Sequence, residues 1–413
     1  MGRAESDAAL GRVAPPRLGV AIWMTALVLL GVSATAVAMG RMTNGFIAYY
    51  TATRVLVSGE FDARIYDDAW FMDAVRRVSG TDVKEIFGPN PPAMALLALP
   101  LAAFEPNVAR AIWLAASLIA FAGATWFWLH RVPGHGLRGP LAIAIAMLNP
   151  AVWANLRQAQ AYLFVFAALT WVARSSLMGR DTAGGSVAGL LVALKSSGLP
   201  WWALRAIERR WRFVAAAAVS WLLLSGIVFA VTGLEPWLRY PRYVAEFVQR
   251  PGASATAYQT TWSLARRLCV ADPQFNPAPA ADCGPAALVL PPLLVLSAWL
   301  WTARRVIRGA SPKVTIAAGV CLSLLALPIA EEHHFVLLTI PLFLALESHA
   351  RQAWPRPLEL AVLAAAVAML MVPLELTMPF TTRLSALLAY PRLYAAWLLW
   401  ALAVQGRVAT YPS

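Results

Sequence analysis

The feature that most constrains the fold is a series of long apolar segments that fills most of the chain. A helix crosses the hydrocarbon core of a bilayer in about 20 apolar residues. Segments close to this length lie at 18–40, 108–129, 140–154, 158–177, 213–232, 286–303, 314–330, 334–348, 357–377 and 390–405. Of the 413 residues, 60% are hydrophobic and 13% charged, whereas about a quarter are charged in a soluble domain. The composition therefore predicts a membrane protein.

The predicted fold is all-α, a polytopic bundle of about 10–12 transmembrane helices, because lipid offers the backbone no other partners. One transmembrane domain covers 18–406, between a cytoplasmic tail at 1–17 and a second tail at 407–413. The net charge of +13 is read as topology signals and lipid-phosphate contacts, not as a nucleic-acid surface. No nucleotide-binding Walker sequence or metalloprotease motif occurs, so neither ATP-driven transport nor a metal or other cofactor is predicted.

The basic loops give the orientation. Arginine-rich loops at 205–212, 304–313 and 351–356 predict the cytoplasmic side, which places the loops 41–90 and 233–285 outside. Cys269 and Cys283 lie in the second outer loop. They either form a disulfide, which requires an oxidising face, or remain two thiols.

Two shorter apolar segments leave the interior of this map open. Segment 91–104 either crosses the membrane fully or is re-entrant. In the re-entrant arrangement, 184–204 is a broken hairpin that turns at its K-S-S-G-L-P sequence. The re-entrant arrangement is preferred because it keeps the basic loops inside. In the first outer loop, apolar spacing up to Gly59 and again over 67–78 predicts two amphipathic helices.

Charged and amide side chains that interrupt apolar runs are candidates for a functional site. Lys195 ends an apolar helix before a break and suits an anion such as a lipid phosphate, or it snorkels to the membrane surface. Arg157 suits a phosphate, whereas Gln158 and Gln160 suit sugar hydroxyls, unless the segment is an ordinary polar turn.

The sequence A-E-E-H-H-F at 330–335 places two carboxylates and two imidazoles between apolar runs. A metal site would need ligands from elsewhere, since all four side chains cannot meet on one face of a helix. A hydrogen-bonding cluster at the mouth of a cavity or a solvated helix start are the remaining interpretations. The first outer loop adds Asn44, Tyr49, Tyr50 and Asp62, a mixture of polar and aromatic groups typical of sugar binding. Asp67 and Asp68 are interpreted as a solvated acidic face.

Several of these pieces, in their order along the chain, resemble glycosyltransferase family 87, the polyprenyl-phosphate-mannose-dependent mannosyltransferases and their bacterial relatives. The pieces are N-G-F-I-A-Y-Y (44–50), I-Y-D (65–67), F-G-P-N-P-P (87–92), R-Q-A-Q-A-Y (157–162), A-L-K-S-S-G (193–198) and P-I-A-E-E-H-H (328–334). The resemblance runs from about residue 18 to about 350. It implies the GT-C architecture, a helical membrane bundle with an outer cavity beneath loop helices.

The resemblance also implies roles for individual residues. The paired aromatics match Tyr49 and Tyr50, the family's G-Q step matches Ala159-Gln160 or Arg157-Gln158, its A-x-K-P step matches Leu194-Lys195-Ser196, and its H-H pair matches His333 and His334. Lys195, Arg157 and His334 would then hold the donor phosphate. Tyr49, Tyr50 and Gln160 would position sugars.

One position departs from the family pattern. Where the family has an acidic residue that is the expected base, this chain has Asn44, and an amide cannot take a proton from a hydroxyl. The base is then Asp62, Glu331 or Glu332.

The implied function is transfer of mannose or another hexose from a polyprenyl-phosphate donor to a glycan or glycolipid acceptor, on the extracytoplasmic face of the cell membrane. Asn44 leaves an alternative open, a catalytically inactive lipid-glycan binding protein or transporter on the same fold.

Overall fold

A computed structural model describes residues 17–131, 138–195, 198–350, 356–377 and 379–405. The predicted C-terminal tail, nearly all of the N-terminal tail, most of the basic loop 351–356 and Ser196 lie outside these residues. The described residues contain no β-strand, and the prediction of an all-α polytopic bundle is confirmed.

The helices are numbered here in chain order. They are α1 (Arg17–Met39), α2 (Phe46–Val57), α3 (Asp68–Ser79), α4 (Pro106–Leu129), α5 (Arg138–Leu148), α6 (Pro150–Gln158), α7 (Tyr162–Leu177), α8 (Asp181–Lys195), α9 (Leu199–Ile207), α10 (Trp211–Thr232), α11 (Glu235–Phe247), α12 (Thr261–Cys269), α13 (Gly284–Ile307), α14 (Pro312–Leu325), α15 (Thr339–Ala350), α16 (Pro357–Met371) and α17 (Pro391–Gln405). Short 3-10 helices join them, of which Pro92–Leu96, Leu99–Leu101 and Glu332–Leu338 matter for the site.

Within the described residues, 5 helices are long and apolar enough to span a bilayer. They are α1, α4, the α5–α6 unit Gly139–Gln158, α10 and α13. The 3-10 helix Arg383–Ala389 and α17 pass the same test together but bend by 62°. Since α2, α7, α14 and α16 are shorter apolar helices, the full count of 10–12 crossings stays a prediction.

Segment 91–104 forms no continuous helix. Its prolines begin two 3-10 turns instead, which is the interrupted backbone that a re-entrant segment requires. The other interrupted segment, 184–204, has a charged residue at its break. Helix α8 ends at Lys195, and α9 begins after Gly198, whose φ of +93° suits glycine.

Helix α8 packs closely along α10. A Cβ on Gly185 would lie 2.2 Å from the Phe213 carbonyl oxygen, and one on Gly189 would lie 2.1 Å from that of Ala217. Only glycine permits this approach, which fixes the direction in which α8 delivers its C-terminal lysine.

The first outer loop folds into α2 and α3 as predicted, but the two helices differ in burial. Helix α3 is amphipathic, capped by the Asp67 side chain, which accepts from the backbone N–H groups of Ala69 and Trp70 at 2.9 and 3.1 Å. Most residues of α2 are buried, since α4 and the turns of 92–101 cover it. The loop helix α2 therefore forms a wall of the protein interior.

The second outer loop is attached to the first. The Tyr243 hydroxyl of α11 donates to Asp68 Oδ1 at 2.8 Å, and the Arg250 guanidinium contacts Asp68 Oδ2 at 2.6 Å. Asp68, read from the sequence as part of a solvated face, thus joins the two loops. Cys269 and Cys283 form a disulfide that closes the end of α12 onto the start of α13.

Candidate active site

A cavity of about 420 Å³ opens where the two outer loops meet the C-terminus of α8 and the 3-10 helix Glu332–Leu338. Six residues that the sequence singled out line it: Tyr49, Gln160, Lys195, Glu331, His333 and His334. They come from four separate segments of the chain, so the fold gathers polar groups that the sequence holds far apart.

Lys195 supplies the positive charge of the cavity. Its Nζ atom donates to Asn90 Oδ1 at 2.7 Å and lies 4.9 Å from the ring centroid of Tyr49 and 5.3 Å from that of Tyr162. Asn90 is itself held, since its backbone carbonyl accepts from the Tyr66 hydroxyl at 2.8 Å. Ring faces attract an ammonium group, so this arrangement holds Lys195 at the cavity.

Gln160 and Tyr49 contribute an amide and a hydroxyl group to the cavity lining. The Tyr49 hydroxyl donates to Gln160 Oε1. Helix α6 ends at Ala159, which adopts a left-handed conformation with φ of +46°, and the chain turns there toward the cavity. The indole of Trp113 secures this turn by donating to the Ala159 carbonyl at 2.9 Å.

The imidazole pair lies at the start of the 3-10 helix. The Asn155 side-chain amide donates to the His333 carbonyl at 2.8 Å, which ties this helix to α6. The backbone N–H of Glu331 donates to His334 Nδ1 at 3.2 Å, so the neutral His334 ring carries its proton on Nε2. The His334 and Tyr162 ring centroids are 4.1 Å apart.

Glu85 also lines the cavity, and sequence reasoning missed it. One carboxylate oxygen accepts from the backbone N–H of Gly45, and the other accepts from that of Ile86 at 2.9 Å. Burial raises the pKa of Glu85 to about 7, and the nearby carboxylate of Glu331 acts in the same direction, whereas the two N–H groups and Lys195 oppose the rise. Its place just before Ile86 and Phe87, a short apolar stretch within a polar loop, was the available signal.

Gly45 makes the contact with Glu85 possible. Its φ of +96° is open to glycine, and a Cβ there would lie 2.2 Å from the Gln158 carbonyl oxygen. The Thr43 hydroxyl donates to the Arg157 carbonyl at 3.0 Å, so the turn that includes Asn44 rests on the end of α6. Asn44 and Gln158 are not among the residues that line the cavity, although Gly45 and Gln160 are.

The other predicted acids are engaged in ion pairs outside the cavity lining. Asp62 caps the short helix Ala63–Tyr66, and hydrogen bonds from Arg64 lower the pKa of its carboxyl group. Glu332 accepts from the buried Arg392 at 2.8 Å. Of the three carboxylates predicted as bases, Glu331 is the one that lines the cavity.

Two further predicted residues also lie outside the lining. The Arg157 guanidinium is within 3.8 Å of Glu332 and 3.7 Å of Glu375. The Tyr50 hydroxyl donates to the Phe104 carbonyl at 2.5 Å, which anchors α2. Arg157 is thus an exposed charge paired with two carboxylates, whereas Tyr50 supports α2 from outside the cavity.

The chemistry available in the cavity is anion binding beside hydroxyl, amide and ring groups, together with carboxylates that can take a proton. Among the residues that the structure describes, no group of three or more His, Cys, Asp or Glu is arranged to hold a metal ion.

Comparison with known proteins gives one match. The model of glycosyltransferase family 87 matches residues 89–328, which is more than half of the chain. No curated protein and no solved structure matches significantly. The matched region includes Asn90, Gln160, Tyr162 and Lys195 from the cavity.

Proposed function

The chain belongs to glycosyltransferase family 87 and is a membrane glycosyltransferase, and we propose that it moves mannose or another hexose from a polyprenyl-phosphate donor to an extracytoplasmic acceptor. The observation that carries this proposal is the Lys195 ammonium group between two tyrosine rings in a cavity that also holds an imidazole pair. A cation fixed in a water-poor site stabilises negative charge that grows during a reaction. When the sugar leaves its carrier, that charge grows on the phosphate.

The donor phosphate is placed at Lys195, with His333 and His334 completing its surroundings. A neutral His334 with its proton on Nε2 can donate one hydrogen bond to a phosphate oxygen. Arg157 is proposed to assist when lipid binds, since its paired acids, Glu332 and Glu375, leave its side chain 60% exposed. A guanidinium with that freedom can exchange a carboxylate for a phosphate, both of which it binds through two donors.

The transferred sugar is placed against Tyr49, Tyr162 and Gln160. Rings cover the apolar face of a hexose, and the amide and hydroxyl groups exchange hydrogen bonds with its hydroxyls. The cavity volume of about 420 Å³ falls within the range of roughly 300–1,000 Å³ that is usual for small-molecule sites. Tyr50 is proposed to act indirectly, by holding α2 in place through Phe104.

The disulfide supports an extracytoplasmic active face at the cell membrane. Disulfides persist in oxidising compartments and are rare in the cytosol. Cys269 and Cys283 belong to the second outer loop, and Phe247 and Tyr258 of the same loop line the cavity. The loop that carries the disulfide therefore also lines the cavity, so an oxidising compartment for the disulfide implies the same compartment for the site.

A transfer assay tests this function. Purified full-length protein in lipid vesicles is given polyprenyl-phosphate sugars labelled in mannose, glucose or galactose, with a lipid and glycan extract of the native membranes as acceptor. Label should move into the extract and polyprenyl phosphate should be released, and Lys195→Met should stop both. Absence of turnover with every lipid-phosphate sugar would contradict the proposal.

Asn44 supports a second candidate function, a lipid-glycan binding protein that has lost its chemistry. Such a protein would bind polyprenyl-phosphate sugar in the same cavity without releasing polyprenyl phosphate. The variant Asn44→Asp separates the two: a binding protein gains turnover from a starting value of zero, whereas an enzyme with its base elsewhere is already active.

A further inference from the structure

Two carboxylates line the cavity within the described part of the chain, Glu85 and Glu331. Sugar transfer to a hydroxyl requires a group that takes the hydroxyl proton, and a carboxylate within reach of the acceptor is suited to this. The two differ in how the protein holds them, and the difference assigns each a role.

Glu85 is fixed by the backbone. Each of its carboxylate oxygens accepts a hydrogen bond from a different main-chain N–H, that of Gly45 and that of Ile86. These bonds set the orientation of the carboxylate and leave a second lone pair on each oxygen for an incoming proton. A base held by two backbone N–H groups from separate segments needs little reorganisation before it reacts.

Glu331 is part of the cationic end of the cavity. Burial raises the pKa of Glu331, and the charge of Lys195 opposes that rise; the Oε2 atom of Glu331 lies 3.6 Å from His333 Nδ1. Its backbone N–H also fixes the ring of His334. Its side chain therefore belongs to the end of the cavity that holds Lys195 and the imidazole pair, which is the proposed donor-phosphate site.

We propose that Glu85 is the catalytic base of this transferase, an assignment that rests on the proposed function. One Glu85 oxygen takes the proton of the acceptor hydroxyl as that hydroxyl oxygen forms its bond to the anomeric carbon. The bond from the anomeric carbon to the phosphate oxygen breaks, and its electron pair stays on the phosphate. The products are the glycosylated acceptor, polyprenyl phosphate and protonated Glu85, which returns its proton to water.

This assignment explains how the chain works with an amide at position 44. Gly45 and Glu85 are separated by 40 residues in sequence, yet they are hydrogen bonded. The carboxylate from the end of the first outer loop therefore reaches the turn in which Asn44 lies. A base supplied from position 85 makes an acid at position 44 unnecessary.

The test uses four variants of the full-length protein in the transfer assay. Glu85→Gln should lower kcat by about 10²–10⁴-fold, the usual contribution of a general base. The kcat of the double variant Asn44→Asp/Glu85→Gln should be at least tenfold higher than that of Glu85→Gln. Glu331→Gln should raise the donor KM more than it lowers kcat. Asp82→Asn, three residues from Glu85 and 88% exposed, is the matched control and should be unchanged.

Binding separates a chemical role from a structural one. A short-chain polyprenyl phosphate without sugar should bind Glu85→Gln within threefold of wild type. Two results would overturn the assignment of Glu85 but not the proposed function. One is that Glu85→Gln loses this binding together with turnover, and the other is that it keeps more than a tenth of wild-type kcat. Wild-type protein that turns over no lipid-phosphate sugar overturns the function and the base together.

Discussion

The Nζ atom of Lys195 lies 4.9 Å from the ring centroid of Tyr49 and donates to Asn90 at 2.7 Å. The first outer loop thus contributes both a ring and an amide to the lysine at the end of α8. Keeping an ammonium group in such a place costs folding free energy, which favours a functional reason for its presence.

Replacement of this lysine should therefore affect activity more than stability. We expect Lys195→Met to lower kcat at least about 100-fold, as loss of a donor to a developing negative charge does elsewhere, and to leave Tm equal or higher. Lys84→Met, an exposed lysine of the first outer loop, is the control and should match wild type. Transfer within threefold of wild type in Lys195→Met would contradict a role at the phosphate.

The pH dependence of transfer should report Glu85. Its pKa is raised to about 7, with Glu331 and Lys195 as the charged groups that face it. A base must be ionised, so kcat/KM should rise as pH increases toward about 7. A profile that is flat between pH 5.5 and 8 would show that the reacting carboxylate titrates elsewhere.

The raised pKa of Glu85 also predicts that stability decreases as pH rises, whereas activity increases. An unfolded glutamate ionises near pH 4.3, whereas folded Glu85 keeps its proton up to about pH 7. Between these values the folded state binds more protons, so its free energy of unfolding falls as pH rises through that window. Wild-type Tm should therefore fall more from pH 5 to pH 8 than that of Glu85→Gln, measured by thermal unfolding in one detergent.

Much of the cavity lining could be predicted from the sequence, because polar residues within apolar segments can be recognised without coordinates. Lys195, Gln160 and the His333–His334 pair each interrupt an apolar run, and all four line the cavity. The all-α membrane fold follows from the same apolar runs, since composition and segment length determine it.

What sequence reasoning missed depends on long-range contacts. Glu85 resembles any loop acid in sequence, and its contact with Gly45, which packs against the end of α6, joins segments 40 residues apart. Arg157 was assigned to the phosphate by its two-pronged donor geometry, and its pairing with Glu375, which joins segments more than two hundred residues apart, was not foreseen. Local pattern also predicted α2 as an interfacial helix, because nothing in its own residues reveals the segments that cover it.

Gly45 offers a test of the turn that holds Glu85. Gly45→Ala places a Cβ 2.2 Å from the Gln158 carbonyl oxygen and should push the turn off α6, lowering both Tm and kcat, the latter at least tenfold. Gly59→Ala is the control, since Gly59 also has a positive φ, +77°, but nothing lies within 4 Å of its Cβ position. It should show only the backbone cost of about 1–2 kcal/mol. Equal effects of the two substitutions on kcat would argue against the packing of Gly45.

The disulfide gives the last prediction, which addresses the side of the membrane. The chain has three cysteines, of which Cys321 is buried and unpaired in α14, while Cys269 and Cys283 are bonded. Denatured protein from intact cells should therefore bind one equivalent of a maleimide before reduction and three after it.

Removal of the pair as Cys269→Ser/Cys283→Ser should cost about 3 kcal/mol of unfolding free energy for a loop of this length, with Cys321→Ser as the thiol control. Three reactive thiols before reduction would mean that the second outer loop matures in a reducing compartment. Since that loop contributes Phe247 and Tyr258 to the cavity, the active face would then be cytoplasmic, and a donor on the outer leaflet could not reach Lys195.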